Sequence, residues 1–117
     1  MPVRSLDLPV LKWPDRAAVD QAARAWAAEQ RGRCPEIVRL GYFGSYARGD
    51  WGVGSDLDLV VILERCERPF AERPLDWDSS TLPVPAEILV YTREEWERLL
   101  AAANRFVATV AREAVWL

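Results

Sequence analysis

Two aspartates separated by one residue, Asp56 and Asp58, open the apolar run SDLDLVVIL. Side chains two apart on a strand point to the same side, so we expect the two carboxylates to project together. Each carboxylate disfavours ionisation of the other unless a cation lies between them. Mg²⁺ removes that conflict, since it binds one or two protein carboxylates together with substrate phosphates. The pair therefore predicts a metal site next to a phosphate-binding element.

A glycine-serine pair supplies such an element shortly before the aspartates. Gly44 and Ser45 join a predicted strand to a predicted short helix. Gly44 leaves room for a phosphate to approach the backbone, and the helix N-terminus offers free N–H groups. The Ser45 hydroxyl can donate to a phosphoryl oxygen, and Arg48, one turn further on, can add a charged donor. These three residues predict a phosphate-binding turn.

Two of the candidate nucleotide-binding residues also have structural interpretations, and the sequence leaves both open. Arg48 can form an ion pair with Asp50 or Asp58 rather than bind phosphate. Ser55, directly before the aspartates, can contact a nucleotide or cap the glycine-rich turn in which it lies.

Composition excludes several other chemistries. The chain has 117 residues, half of them apolar, and a net charge of -3, which favours one compact domain without a direct nucleic-acid partner. It has no histidine and two cysteines, so Ser-His and Cys-His catalysis, His-containing zinc sites and four-Cys zinc sites are excluded. Without a long apolar stretch or a signal-peptide pattern, we expect a cytoplasmic protein that makes no membrane contact.

Apolar periodicity predicts the elements that position these residues. After an irregular arm over residues 1–13, helical spacing begins at Pro14 and ends at Gly32. Three apolar runs, EIVRLGYFG, LDLVVIL and AEILVYT, are typical of strands. The second run is almost continuously apolar, so we expect it to be buried on both faces of a sheet.

The C-terminal half adds a long connection and two helices. Residues 64–85 are polar and proline-rich, and so long a loop in a small domain is usually functional or mobile. Thr92 and Glu95 form a capping-box pattern that opens a helix. Asn104 interrupts that helix, and helical spacing then continues as far as Val115. The predicted order, α-β-α-β-(loop)-β-α-α, is an α/β domain with a small sheet flanked by helices.

The motif in residues 44–61, GSYARGDWGVGSDLDLVV, resembles the GSxARGxxxxxSDxDLxV signature of minimal nucleotidyltransferases in the DNA polymerase β superfamily. Every signature position is filled, and the likeness extends over residues 36–103. The resemblance implies a small mixed β-sheet flanked by helices. It also implies a single nucleotidyltransferase domain over residues 1–117.

The resemblance assigns a role to each motif residue. Gly44 and Ser45 bind the triphosphate, Asp56 and Asp58 ligate Mg²⁺, and two ions are expected. A third carboxylate, on the neighbouring strand, ligates metal and helps to activate the attacking hydroxyl. The reaction is in-line transfer of a nucleoside monophosphate, with AMP from ATP as the expected group and pyrophosphate leaving.

The third carboxylate is where this sequence departs from the family pattern. Members usually place an aspartate before the apolar run of that strand, and Glu87 is the matching residue here. The additional methylene moves the carboxylate by about one bond length, and a displacement of about 1 Å can lower a rate of order a hundredfold. Asp76 and Asp78, in the long connection, are weaker alternatives.

Two functions follow from the resemblance. Stand-alone proteins of this family are often paired with HEPN-type ribonucleases, for which they act as antitoxins by nucleotidylating the partner. The alternative is a catalytically weak or inactive module that neutralises a HEPN-type ribonuclease by contact. Glu87 and the apolar segment over residues 114–117 motivate that alternative.

Overall fold

The computed structural model describes residues 13–117, so the arm predicted over residues 1–13 lies outside the described part except for Trp13. The elements in chain order are α1 (Arg16–Arg33), β1 (Ile37–Phe43), α2 (Ser45–Arg48), β2 (Leu57–Leu63), a 3₁₀ helix (Phe70–Asp76), β3 (Ala86–Thr92), α3 (Arg93–Ala101), α4 (Arg105–Glu113) and β4 (Val115–Trp116). The predicted α/β order is confirmed. The 3₁₀ helix and β4 are additions to it. Among residues 13–117, none of the helices combines the length and the apolar character that a membrane span requires.

Within residues 13–117 the four strands form one mixed sheet in the order β3-β2-β1-β4. Strand β2 is parallel to β3 and antiparallel to β1, and β4 is antiparallel to β1. Every residue of β2 except Asp58 is buried, which confirms the prediction of a strand covered on both faces. Its side chains alternate between two cores: one contains α1 residues, and the other contains residues of α3 and α4.

The first helix ends later than the sequence pattern predicts. Its N-cap is Asp15, whose side chain accepts from the N–H of Ala18, and Gly32 lies inside its last turn. The last helical residue is Arg33, and the C-cap residue Cys34 adopts an extended conformation. Because Cys34 precedes Pro35, whose ring disfavours the helical region for the residue before it, proline rather than glycine ends the helix.

The predicted helix through Val115 is wrong at its end. Helix α4 stops at Glu113, and Val115 and Trp116 form β4 against β1. A Cβ at Gly41 of β1 would lie 2.6 Å from the carbonyl oxygen of Val115, so the glycine gives β4 room to pair. Trp116 then packs at 6.1 Å from the Trp96 ring. Residues 114–117, which motivated a partner-binding segment, are therefore half-buried against the chain's own sheet.

An ion pair fixes the long connection to the sheet. Arg73 of the 3₁₀ helix is 5% exposed and donates to both carboxylate oxygens of Glu95, at 2.7 and 3.0 Å. It also donates to the carbonyl oxygens of Val90 and Arg68. Hydrogen bonding to Arg73 lowers the pKa of Glu95 to about 2. We refer to Arg73 and Glu95 together as the clamp.

The Thr92–Glu95 capping box is present beside the clamp. The Thr92 hydroxyl accepts from the N–H of Glu95 at 3.1 Å, and Glu95 accepts from the N–H of Thr92 at 2.9 Å. Glu95 therefore serves two elements, the start of α3 and the 3₁₀ helix. The sequence predicted the first of these roles.

Candidate active site

Strand pairing brings the phosphate-binding turn and the carboxylates to one edge of the sheet. Phe43, the last residue of β1, pairs with Asp58 of β2, and Asp58 pairs with Glu87 of β3. These three residues form one row across the sheet. Gly44 follows Phe43 directly, so the turn begins beside the Asp58 carboxylate.

Gly44 is required by the backbone and by Asp58. Its φ of 79° and ψ of -152° lie in a region that glycine alone occupies readily. A Cβ at this position would collide with Oδ2 of Asp58. Gly44 also occupies the N-cap position of α2, so Ser45 is the first helical residue and its N–H has no partner within the helix. Gly44 thus lets the Asp58 carboxylate lie in contact with the turn that begins α2, where the first N–H groups have no partner within the helix.

A pocket of about 410 Å³ contains most of the predicted nucleotide-binding and metal-binding residues. Gly44, Ser45, Arg48, Asp56 and Asp58 all line it. The structure therefore brings together the two halves of the motif, which lie on different elements.

The negative charge of the Asp58 carboxylate is only partly offset by the positive charge of Arg48. Burial of this half-buried carboxyl raises its pKa, and the negative charges of Glu87 and Asp56 raise it further. Arg48 lowers the pKa of Asp58 by less than these groups raise it. A bound cation would offset the repulsion, as expected for a carboxylate pair that holds a metal.

Arg48 has structural partners of its own. Its Nε donates to Oδ2 of Asp50 at 3.1 Å, the ion pair that the sequence left open. Its Nη1 lies 3.8 Å from Oε1 of Glu113 on α4. The Arg48 side chain is 47% exposed at the pocket, so it can also reach an anion there.

Two predicted site residues lie beside the pocket rather than in its lining. The Ser55 hydroxyl accepts from the N–H of Gly52 at 2.9 Å and closes the turn before β2. Glu87 is exposed and adjacent to Asp58 across the strand pair. The weaker alternatives are elsewhere: Asp76 pairs with Arg68, and Asp78 accepts from the N–H of Ser80.

Comparison with known proteins identifies the family. The family model for the nucleotidyltransferase domain matches residues 26–115. The chain belongs to the nucleotidyltransferase domain family. Among solved structures, a candidate nucleotidyltransferase from Sulfolobus solfataricus matches with a TM-score of 0.62 and 20% identity, over 86% of this chain and 80% of that one. At that identity the likeness shows the fold. A comparison with curated proteins gives no match.

Sequence reasoning missed one wall of the pocket that Gly44 and Asp58 line. Helix α4 contributes Phe106, Thr109, Val110 and Glu113 to the lining. Their spacing of three, four and seven residues places them on one helix face, so the periodicity contained the signal. Tertiary packing sets the register that turns this face of α4 toward Gly44.

The carboxylates of this domain fit Mg²⁺ through two of the three predicted ligands. Asp56 and Asp58 line the pocket and would hold the ion, which needs one or two protein carboxylates. In the described part of the chain, no three Cys, Asp or Glu side chains are grouped closely enough to hold a metal. Glu87 therefore does not complete a preformed three-carboxylate cluster.

Proposed function

We propose that this chain is a Mg²⁺-dependent nucleotidyltransferase that transfers AMP from ATP to a hydroxyl of a protein acceptor. The observation that carries the proposal is the shared pocket, in which Gly44 and Ser45 of the turn face Asp56 and Asp58. A turn with free N–H groups suits a polyphosphate, and two carboxylates that repel each other suit the metal that accompanies it.

The residues that line the pocket, together with Glu87 beside it, have separate roles in the proposed reaction. The N–H groups at the turn and the Ser45 hydroxyl hold phosphate oxygens, and Arg48 adds positive charge. Asp56 and Asp58 would hold Mg²⁺, two ions in the full site, which supplies charge neutralisation at the phosphates. The acceptor oxygen bonds to the α-phosphorus as the bond to the pyrophosphate oxygen breaks. Glu87, beside Asp58, takes the hydroxyl proton.

The proposed acceptor is a HEPN-type ribonuclease, and the two proteins form a cytoplasmic toxin-antitoxin pair. Support comes from the complete GSxARG–SDxDLxV motif, which resembles that of the antitoxins paired with HEPN ribonucleases. A protein acceptor also suits the open site, where Glu87 is exposed to an approaching surface.

The test is label transfer from labelled ATP with Mg²⁺ to the HEPN partner. Replacing Asp56 and Asp58 together by alanine removes the proposed metal ligands, so we expect transfer to fall by about a thousandfold. Asp76 and Asp78 provide a matched control, since they have the same D-x-D spacing and lie outside the pocket. Their double alanine variant keeps transfer. Equal transfer by both double variants contradicts the proposal.

The exposure of Glu87, outside the pocket lining, favours one second candidate. With no preformed three-carboxylate cluster in the described residues, the chain could neutralise the ribonuclease by contact alone. Toxicity assays in cells separate the two functions. Under the contact function, the double alanine variant of Asp56 and Asp58 still neutralises the toxin; under the catalytic function it does not.

A further inference from the structure

One residue of the α4 wall combines exposure with a place in the nucleotide pocket. Phe106 is 47% exposed, while Val110, one turn further along the same face, is buried in the core. Exposing an aromatic ring to water forgoes the free energy that its burial would contribute. The transfer chemistry above uses neither residue.

Phe70 shows why the position of Phe106 matters. Phe70 is 43% exposed, but its ring packs against Tyr91 at 5.2 Å and near the Arg73 guanidinium at 5.7 Å, far from the phosphate-binding turn. Phe106 instead lines the pocket that contains Gly44. The Phe106 side chain therefore lies at the pocket to which the proposed function assigns the triphosphate.

The orientation of the Phe106 ring is set before any ligand binds. It packs edge-to-face on Phe43, with ring centroids 5.8 Å apart and planes at 84°. Phe43 is the residue directly before Gly44, so the two rings lie beside the phosphate-binding turn. A ring held in this way loses little conformational freedom when a planar group stacks on it.

We propose that Phe106 is the stacking platform for the base of the nucleoside triphosphate. The inference rests on the proposed function and names how the same pocket distinguishes a nucleotide from inorganic polyphosphate. With the phosphates held at Gly44 and Ser45, the ribose and base would extend toward the residues of the lining that α4 contributes. Because every base has a π-face, stacking supplies affinity without selecting among bases by hydrogen bonding.

The test compares two ligands, ATP and inorganic tripolyphosphate, by calorimetric titration with Mg²⁺. Base stacking is worth a factor of about ten in affinity, so Phe106→Ala weakens ATP binding about tenfold and leaves tripolyphosphate binding unchanged. Phe106→Trp restores ATP binding. Leu100→Ala is the matched control, because Leu100 is 39% exposed on α3 and lies outside the pocket lining.

Each other outcome overturns the proposal. Equal weakening of both ligands shows that the ring only shapes the pocket. Unchanged ATP affinity with a raised KM for the protein acceptor assigns the ring to acceptor binding.

A wild-type chain that binds neither ligand refutes the proposed function as well, whereas normal ATP binding by Phe106→Ala refutes the stacking role alone. If Phe106→Ala does not fold, Phe106→Leu keeps aliphatic bulk without the ring and gives the same comparison.

Discussion

Two carboxylates, Glu95 and Asp58, lie at opposite ends of the parallel pair β2–β3 and have pKa values shifted in opposite directions. Asp58 lies near the start of β2, while Glu95 follows the end of β3, roughly 16 Å further along the strands. The pKa of Glu95 falls to about 2 because Arg73 donates two hydrogen bonds to it. The pKa of Asp58 rises because burial and two neighbouring carboxylates outweigh Arg48.

The difference separates a structural carboxylate from one that we propose to bind a metal. Glu95 has its cation in the same chain, and the pair fixes the 3₁₀ helix to the sheet. Within residues 13–117 Asp58 has no equivalent partner, since Arg48 pairs with Asp50 and Glu113 instead. A carboxylate left in this state makes the fold less stable and is ready for an external cation, which is the usual trade between stability and activity at functional sites.

The largest stability effect is expected at the clamp. Glu95→Gln leaves the Arg73 guanidinium, which is buried, without its counter-charge, so the free energy of unfolding falls by roughly 2–4 kcal/mol. Urea unfolding at pH 7 measures the loss. Because the folded pKa of Glu95 is depressed from 4.5 to about 2, its contribution is complete above pH 4.5 and disappears as the pH falls toward 2.

The matched control for the clamp is an exposed ion pair. Arg98 and Glu94 pair at 3.0 Å on the surface of α3, and the Glu94 side chain is 84% exposed. Glu94→Gln should change the unfolding free energy by less than about 0.5 kcal/mol. A loss at Glu95 no larger than the loss at Glu94 would show that the clamp does not stabilise the fold.

The next effect is expected where the turn meets Asp58. Gly44→Ala places a Cβ against Oδ2 of Asp58 and forces alanine into a strained conformation, so unfolding free energy falls by about 2–3 kcal/mol and transfer activity falls with it. Gly49→Ala is the control: φ there is 88°, and among the described residues no atom beyond the chain neighbours lies within 4 Å of the added Cβ. We expect Gly49→Ala to lower the free energy of unfolding by about 1 kcal/mol and to leave transfer activity unchanged.

The smallest effect on the free energy of unfolding has the opposite sign and is expected at Asp58. Asp58→Asn removes a charge that the fold disfavours, so the unfolding free energy rises, by at most about 1 kcal/mol because water screens a half-exposed group. The folded pKa of Asp58 lies above 3.8, so the gain is present at pH 7 and disappears as the pH falls toward 3.8. A less stable Asn variant at pH 7, measured by urea unfolding, contradicts the comparison.

Local patterns predicted the elements on which the site depends. The apolar run of β2, the Thr92–Glu95 capping box and the glycine turn at Gly44 each need only neighbours in sequence, and the structure contains all of them. The meeting of Gly44 with Asp56 and Asp58 in one pocket followed from the motif. The local elements depend on residues that are close in sequence. The meeting of Gly44 with the two aspartates depends on the spacing between them, which the antiparallel pairing of β1 with β2 fixes.

Long-range packing decided what the sequence did not show. Val115 continues the helical period of α4, yet it pairs with β1 because Gly41, over seventy residues earlier, leaves room for it. The residues around Arg73 in sequence do not predict its burial, because its partner Glu95 lies 22 residues further along the chain, beyond β3. Phe106 had the periodicity of a core residue, and only the packing of α4 turns its ring toward the pocket.

The short strand β4 has a mechanical consequence for the pocket. Helix α4 is held at its start by the Asn104 cap and at its end by the pairing of Val115 with Tyr42. Both ends of α4 are therefore fixed, with Phe106 near the first contact and Glu113 near the second. Loosening either contact would let the helix move and widen the pocket, so the rigidity of this wall depends on residues outside the pocket lining.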